Sequence, residues 1–207
     1  MHPEQAEDQL ALIRATMERT TRFTGLPGYA CLIAGALALA GAGTAALLGA
    51  EFPARGVTGG RHAALAWIWG AVCLAGAAQF VVLSALAAAR QGRSAWSHLA
   101  RRVVVAVLPG LYVGAALTEF ARRSDRLDIL PALWCLGYGA SLLGLGLYAG
   151  WKANVTGLLF LAAGSLALLG AVPGGNLLMA VAFGGFHVLL GTLILAGHDH
   201  APENPDA

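Results

Sequence analysis

Six stretches of about 20 apolar residues, separated by short segments rich in charges, proline and glycine, constrain this chain more than any other feature. A bilayer core of roughly 30 Å is crossed by a helix of about 20 residues, so each stretch is long enough to span a membrane. Composition agrees, because 57% of the 207 residues are hydrophobic and 12% are charged, which is too apolar for an ordinary soluble domain. The sequence therefore predicts an all-α bundle of six transmembrane helices near residues 28–50, 63–89, 103–121, 129–150, 155–172 and 176–196.

The residues before this membrane domain (28–197) form a separate N-terminal segment, 1–27. Acidic residues stand where a signal peptide would carry its basic start, so the first membrane helix is predicted to be retained. Helical spacing of apolar residues predicts an amphipathic helix that lies on the membrane surface or docks on the loops: Ala6, Leu10, Ile13 and Met17. Within it, Met17, Glu18 and Arg19 are candidates for docking a partner protein. At the other end, residues 198–207 are predicted to form a disordered acidic tail.

Lys and Arg are divided unequally between the two sides of the predicted bundle. The N-terminal segment and the second and fourth loops hold eight of the 13 Lys and Arg residues, and the other three loops hold five. Because cytoplasmic loops carry an excess of these residues, the count predicts that both termini lie in the cytoplasm. The expected location is a bacterial inner membrane.

Several function classes have little support in the sequence. A net charge of +2 and the lack of a basic stripe with interleaved aromatics argue against nucleic acid as a partner. The expected partners are the lipid bilayer and either a second copy of the chain or another membrane subunit. The three cysteines lack paired spacing, and no hydrolase triad, HExxH sequence or phosphate-binding loop is present. We therefore predict no catalytic residue and no metal site, and an enzyme is the least supported class.

Two parts of the chain resemble each other. Residues 22–36 and 126–140 align at a constant offset of 104 with seven of fifteen positions identical, among them an Arg, a Pro and a Cys. One interpretation is a 3+3 inverted repeat with halves at about 22–121 and 126–197, an arrangement that recurs in channels and transporters. The alternative is that matches arise by chance in a chain rich in Ala, Leu and Gly.

Interruptions occur at corresponding places in the third and sixth segments. Pro109-Gly110 removes a hydrogen bond from the third, and Gly184-Gly185 loosens the sixth. Paired interruptions of this kind indicate a binding site near the midplane. Gly184 and His187 share a helical face of otherwise small residues, which predicts that His187 points into the bundle.

His187 is the candidate on which a functional interpretation depends. An ionisable side chain within a membrane is a functional candidate as a proton acceptor, a ligand contact or a metal or haem ligand. The alternative is a neutral structural histidine, hydrogen-bonded to a hydroxyl, a carbonyl or Gln79. Gln79 lies midway along the second segment and is the next polar candidate. Glu119 lies close to Arg122 and Arg123, so we expect an interfacial ion pair there.

Short motifs along the chain resemble an uncharacterised family of small six-helix bacterial membrane proteins. They are Thr16-Met17-Glu18-Arg19, Phe23-Thr24, Pro27-Gly28, Pro131-Ala132-Leu133-Trp134, Tyr138-Gly139 and Gly184-Gly185-Phe186-His187. The resemblance spans nearly the whole chain. It implies a bacterial origin and the same helix count, with no activity to transfer.

Three functions from different classes remain open. The first, which we favour, is a small-molecule or ion transporter or channel with a midplane site at His187, Gly184, Gly185, Gln79, Pro109 and Gly110. The second is an accessory or sensory membrane subunit that docks a partner protein. The third is a haem- or quinone-associated redox subunit, in which the glycines beside His187 make room for a ring.

Overall fold

The computed structural model describes residues 27–53, 62–92, 94, 96–172 and 174–196. All regular elements in this part of the chain are helical, and six helices are long and apolar enough to cross a membrane, which confirms the predicted fold class. They are α1 (Gly28–Leu47), α2 (His62–Arg90), α3 (His98–Arg123), α4 (Leu130–Ala149), α5 (Trp151–Leu168) and α6 (Gly175–Ala196). The predicted amphipathic helix, with Met17, Glu18 and Arg19, and the acidic tail lie outside the described residues.

Local sequence accounts for where the helices begin and end. Gly49 and Gly170 follow the ends of α1 and α5 with φ of +58° and +75°, a backbone conformation that glycine adopts without steric cost. At the start of α3 the Ser97 hydroxyl accepts a hydrogen bond from the backbone N–H of Ala100 at 3.2 Å. This cap places the first residue of α3 at His98, five residues before the predicted start, so Arg101 and Arg102 belong to the helix.

Adjacent helices run antiparallel and approach closely through small residues. Gly28 and Gly35 of α1 lie against Gly191 and Gly184 of α6. The same kind of contact joins α3 to α4, where Gly110 lies against Gly137, and α4 to α5, where Gly139 lies against Gly157. Without a hydrophobic driving force between helices in lipid, such close contact supplies the van der Waals attraction that holds the bundle together.

Helix α6 lies between two clusters of buried side chains. Its Leu178 and Ala182 pack with residues of α3, α4 and α5, including Phe160. Its Met179 packs with α1 and α2, including Trp69. Helix α2 packs mainly on α1 and leaves most of its surface outside the bundle.

The set of helices that contact one another fits an inverted repeat, but the contacts made by the aligned residues do not. In such a repeat the α1–α6 pair corresponds to α4–α3 and the α1–α2 pair corresponds to α4–α5, and all four pairs are in contact. Gly35 and Gly139 are equivalent in the alignment, yet Gly35 faces α6 whereas Gly139 faces α5. The repeat therefore stays a prediction.

Ion pairs lie at the end of the bundle that holds the α3–α4 connection. Glu119 pairs with Arg122 at 2.7 Å and with Arg123 at 2.6 Å, which confirms the expected ion pair. Arg126 pairs with Asp128 at 2.9 Å, and this hydrogen-bonded carboxylate raises the pKa of Arg126. At the opposite end, the Lys152 ammonium donates to the carbonyl of Leu193 at 2.5 Å in the last turn of α6.

Candidate functional site

His187 lies within α6, and its side chain is buried between α6, α4 and α5. Its exposed fraction is 7%, in agreement with the predicted inward orientation. Tyr138 of α4 and Phe160 of α5 contact the imidazole, with ring centroids 5.2 Å and 5.7 Å away. The candidate site is therefore a meeting point of three helices.

Both ring nitrogens of His187 are hydrogen-bonded within the protein. Nδ1 lies 2.8 Å from the carbonyl oxygen of Phe183, and Nε2 lies 2.7 Å from the hydroxyl oxygen of Tyr138. A carbonyl oxygen can only accept, so Nδ1 carries the hydrogen of the neutral ring. Nε2 is then the acceptor, and the Tyr138 hydroxyl donates to it. The geometry thus assigns the position of both protons.

A π-helical stretch of α6, Ala180–Phe186, makes the Phe183 carbonyl accessible to the ring. In a regular α-helix this carbonyl would accept from the backbone N–H of His187. In the π-helical pattern each backbone N–H bonds to the carbonyl five residues back, so the N–H of His187 leaves the Phe183 carbonyl to the imidazole. Short π-helical interruptions of α-helices occur frequently at functional sites.

Aromatic side chains enclose the His187–Tyr138 pair. Phe160 is fully buried and makes edge contacts with Tyr138, Phe183 and Phe186 at centroid distances of 4.9, 5.0 and 5.3 Å. Phe183 stacks on His187 with an interplanar angle of 22°. The polar pair therefore sits in an apolar surrounding, where a hydrogen bond is electrostatically stronger than in water.

The two glycines before His187 have different surroundings. Gly184 is buried, and a Cβ atom added to it would lie 2.5 Å from Cδ2 of Leu39 on α1. Gly185 is exposed on the outside of the bundle with open space around it. Gly184 therefore serves the α1–α6 contact, and neither glycine leaves an internal gap beside the imidazole.

Gln79, the second polar candidate, is not brought to His187. Its side-chain amide donates to the carbonyl oxygen of Ala30 on α1 at 3.0 Å, which joins α2 to α1. Its carbonyl oxygen is buried without a hydrogen-bond partner. Of the three structural partners predicted for His187, the structure thus provides a hydroxyl and a carbonyl but not Gln79.

Pro109 and Gly110 lie at the α3–α4 contact. Helix α3 continues through Pro109, and the Ser141 hydroxyl lies 3.0 Å from the carbonyl oxygens of both Val107 and Gly137. Gly110 is buried against Gly137 and Ser141. Helix α4 therefore packs directly against the Pro109-Gly110 segment of α3. This segment and the His187–Tyr138 pair are connected only through the apolar core that the helices share.

This arrangement can hold and exchange a proton. Nε2 offers the one lone pair of the imidazole, and the hydrogen on the adjacent hydroxyl can rotate away when a proton arrives. The geometry does not favour a haem ligand, because both ring nitrogens are already hydrogen-bonded and Phe160 packs against the ring. A quinone ring beside Gly184 would have to displace Leu39.

Sequence reasoning did not select Tyr138 or Phe160 as site residues. Tyr138 appeared in the family pattern, and a phenol halfway along a predicted membrane helix is a signal for an internal hydrogen bond. Phe160 gives no comparable signal, since an apolar aromatic is expected anywhere in a membrane helix.

Comparison of the chain with protein family models, curated proteins and solved structures finds no match. The resemblance to a six-helix bacterial family therefore stays a prediction.

Proposed function

We propose that this protein is a proton-coupled transporter of a small solute or ion, in which His187 accepts and releases the coupling proton. The observation that supports it is the hydrogen-bonded pair of His187 and Tyr138, buried where α4, α5 and α6 meet. Ionisable groups inside membrane domains recur in proton relays of pumps and transporters.

Proton uptake would change the direction of the central hydrogen bond. In the neutral pair the Tyr138 hydroxyl donates to Nε2. Once Nε2 is protonated, it becomes a donor and the hydroxyl oxygen becomes its acceptor, so the Tyr138 hydrogen needs a new partner. The enclosing side chains Phe160, Phe183 and Phe186 offer none, which favours a rearrangement of the three helices around the protonated pair.

The positions of the carboxylates also favour such a rearrangement. The carboxylates of the described residues, Glu51, Glu119, Asp125 and Asp128, lie near or beyond helix ends and not beside His187. A buried imidazolium without a counter-charge is costly, and a state in which water or an anionic group reaches the ring lowers that cost. Two packing states that differ in protonation are what coupled transport requires.

Flux measurements in liposomes test the proposal. Purified protein is reconstituted with a pH-sensitive dye inside, and proton movement is followed under a pH gradient and then under Na⁺, K⁺ and Mg²⁺ gradients. We expect flux above that of protein-free liposomes, lost in His187→Ala and retained in Thr192→Val, an exposed polar residue of the same helix. Unchanged flux in His187→Ala would contradict the proposal.

We also propose that the protein resides in a bacterial inner membrane with both termini in the cytoplasm. The start of α1 packs against the end of α6, where Gly28 lies beside Leu195, so these two helix ends are on the same side of the bundle. The excess of Lys and Arg on that side supports its assignment to the cytoplasm. Labelling single cysteines at positions 92 and 125 with an impermeant reagent should modify only position 125 from outside.

A second candidate function is that of an accessory or sensory membrane subunit. The observation that favours it is the peripheral position of α2, where Trp67, Leu74 and Val81 have exposed fractions of 81%, 73% and 66%. A partner helix could cover this surface, and the N-terminal residues Met17–Arg19 could contribute to docking. Crosslinking from Leu74 in native membranes would then yield a specific partner, whereas crosslinks to lipid alone would argue against it.

A further inference from the structure

An open groove lies between the first turns of α3 and the last turns of α4. Its volume is about 410 Å³, and it is lined by His98, Arg101, Arg102, Val105, Ala106 and Tyr148. The groove is at the end of the bundle that contains the α2–α3 and α4–α5 connections, far along α3 from the Glu119 ion pairs. It is separate from the buried His187–Tyr138 pair.

Within the part of the chain that the structure describes, no acidic side chain neutralises the two arginines of the groove. Among the described residues, Arg122, Arg123 and Arg126 form ion pairs with Glu119 or Asp128, whereas Arg101 and Arg102 form none. Both are exposed. A guanidinium group presents a planar fork of donors that matches the oxygens of a phosphate group, and two adjacent guanidinium groups attract an anion more strongly than one.

An apolar stripe continues from the groove along the same face of α3. Arg101, Val105, Leu108 and Tyr112 follow one another at steps of four, three and four residues, so they lie on one face of the helix. The last three have exposed fractions of 68%, 53% and 75%. From Val105 to Tyr112 the helix rises about 10 Å. A cationic groove at the helix end is thus followed by an apolar surface that runs toward the middle of the membrane.

We propose that this groove binds the phosphate group of an anionic phospholipid, with an acyl chain lying along Val105, Leu108 and Tyr112. The phosphodiester would lie between the guanidinium groups of Arg101 and Arg102. A water-soluble phosphate shares the chemistry of the head group but would leave the apolar stripe without a ligand. The continuity of charge and apolar surface therefore assigns the groove to a lipid.

Native mass spectrometry of the full chain tests this proposal. Delipidated protein is titrated with phosphatidylglycerol and, separately, with phosphatidylcholine of the same acyl chains. The test variant is Arg101→Gln with Arg102→Gln, and the matched control is Arg122→Gln with Arg123→Gln, which removes the same charge from the other end of the same helix. We expect phosphatidylglycerol binding to weaken about tenfold in the test variant and to change less than twofold in the control.

Three outcomes would overturn the lipid assignment. Equal losses in the two double variants would show that overall charge, and not the groove, attracts the lipid. Equal binding of phosphatidylcholine and phosphatidylglycerol would remove the role of the anionic head group. Displacement of the lipid by inorganic phosphate at equal concentration would show that the groove takes a soluble phosphate.

A third variant separates the head-group contact from the apolar stripe. Val105→Gln with Leu108→Gln keeps both arginines and changes only apolar residues, one that lines the groove and one further along the stripe. The proposal expects weaker phosphatidylglycerol binding in this variant, with thermal unfolding of the lipid-free protein unchanged because both residues are exposed. Undiminished lipid binding would contradict the acyl-chain placement.

Discussion

The Nε2 atom of His187 on α6 lies 2.7 Å from the hydroxyl oxygen of Tyr138 on α4, although the two residues are 49 positions apart in the chain. The Phe183 carbonyl on the other side of the ring holds Nδ1–H, so in this contact Nε2 accepts and the Tyr138 hydroxyl donates. The His187–Tyr138 hydrogen bond also links the protonation of His187 to the packing of α4 against α6. A change in either partner should therefore be visible in the other.

The first prediction concerns the tautomer of His187. At neutral pH we expect the form with the hydrogen on Nδ1, since only that form satisfies the Phe183 carbonyl and the Tyr138 hydroxyl together. Solid-state NMR of protein with ¹⁵N-labelled histidine in lipid bilayers measures this directly, and His187→Gln identifies the signal. A His187 signal with the hydrogen on Nε2 would contradict the hydrogen-bond assignment.

The second prediction concerns the Tyr138 hydroxyl. Tyr138→Phe keeps the aromatic packing and removes the donor to Nε2, so we expect a loss of about 1 kcal/mol in the free energy of unfolding. The measurement is unfolding in mixed micelles. Tyr112→Phe is the control, because Tyr112 is 75% exposed and forms no contact of this kind. Equal stability changes in the two variants would argue against a significant hydrogen bond.

The third prediction concerns the aromatic enclosure. Phe160 is completely buried and contacts four other rings, so Phe160→Ala should leave a cavity and lower the free energy of unfolding by about 3 to 5 kcal/mol. Leu158→Ala on the same helix removes a side chain that is 56% exposed and should change stability by less than about 1 kcal/mol. Comparable losses would show that Phe160 is not part of a packed core.

The fourth prediction concerns the contact between α1 and α6. A Cβ atom at Gly35 would lie 2.9 Å from the carbonyl oxygen of Gly184 and 2.8 Å from a methyl group of Val188. Gly35→Ala should therefore separate the helices and lower the free energy of unfolding by about 1 to 3 kcal/mol. Gly43→Ala on the same helix faces open space and should be neutral or stabilising. Thermal unfolding that is unchanged in Gly35→Ala would contradict this close approach.

The fifth prediction concerns the contact between α3 and α4. A Cβ atom at Gly110 would lie 2.6 Å from the carbonyl oxygen of Gly137, whereas one at Gly114 would find its nearest neighbour at an ordinary 3.8 Å. We expect Gly110→Ala to destabilise the protein by about 1 to 3 kcal/mol and Gly114→Ala to be tolerated. Unfolding measured on the two variants in one detergent checks the difference. The same result in both would mean that Pro109-Gly110 has no structural role at this contact.

Several features could be predicted from local sequence. The six helices, the Glu119 ion pairs and the inward orientation of His187 follow from spacing along one segment, and the structure agrees with each. The predicted start of α3 is five residues late, because the charges of Arg101 and Arg102 interrupt the apolar pattern just before residue 103. The hydroxyl of Ser97 caps the helix before them.

The candidate site was less predictable. Gln79 and His187 are both polar groups within predicted membrane helices, and nothing in either segment says whether they meet. The structure places Gln79 at the α1–α2 contact and gives His187 the hydroxyl of Tyr138 instead. The sequence predicts interruptions at corresponding places, Pro109-Gly110 and Gly184-Gly185. In the structure α4 packs against Gly110, and α1 packs against Gly184.

The sequence by itself determined that this is a six-helix membrane protein with one histidine buried in its last helix, because helix length and apolar content are properties of each segment alone. Only the tertiary structure decided which residues surround that histidine. Contacts between helices depend on how each helix is rotated and how deeply it packs, and glycines such as Gly35 and Gly110 control that depth. The proton on Nδ1, the phenol at Nε2 and the lipid groove beside Arg101 all arise from that packing.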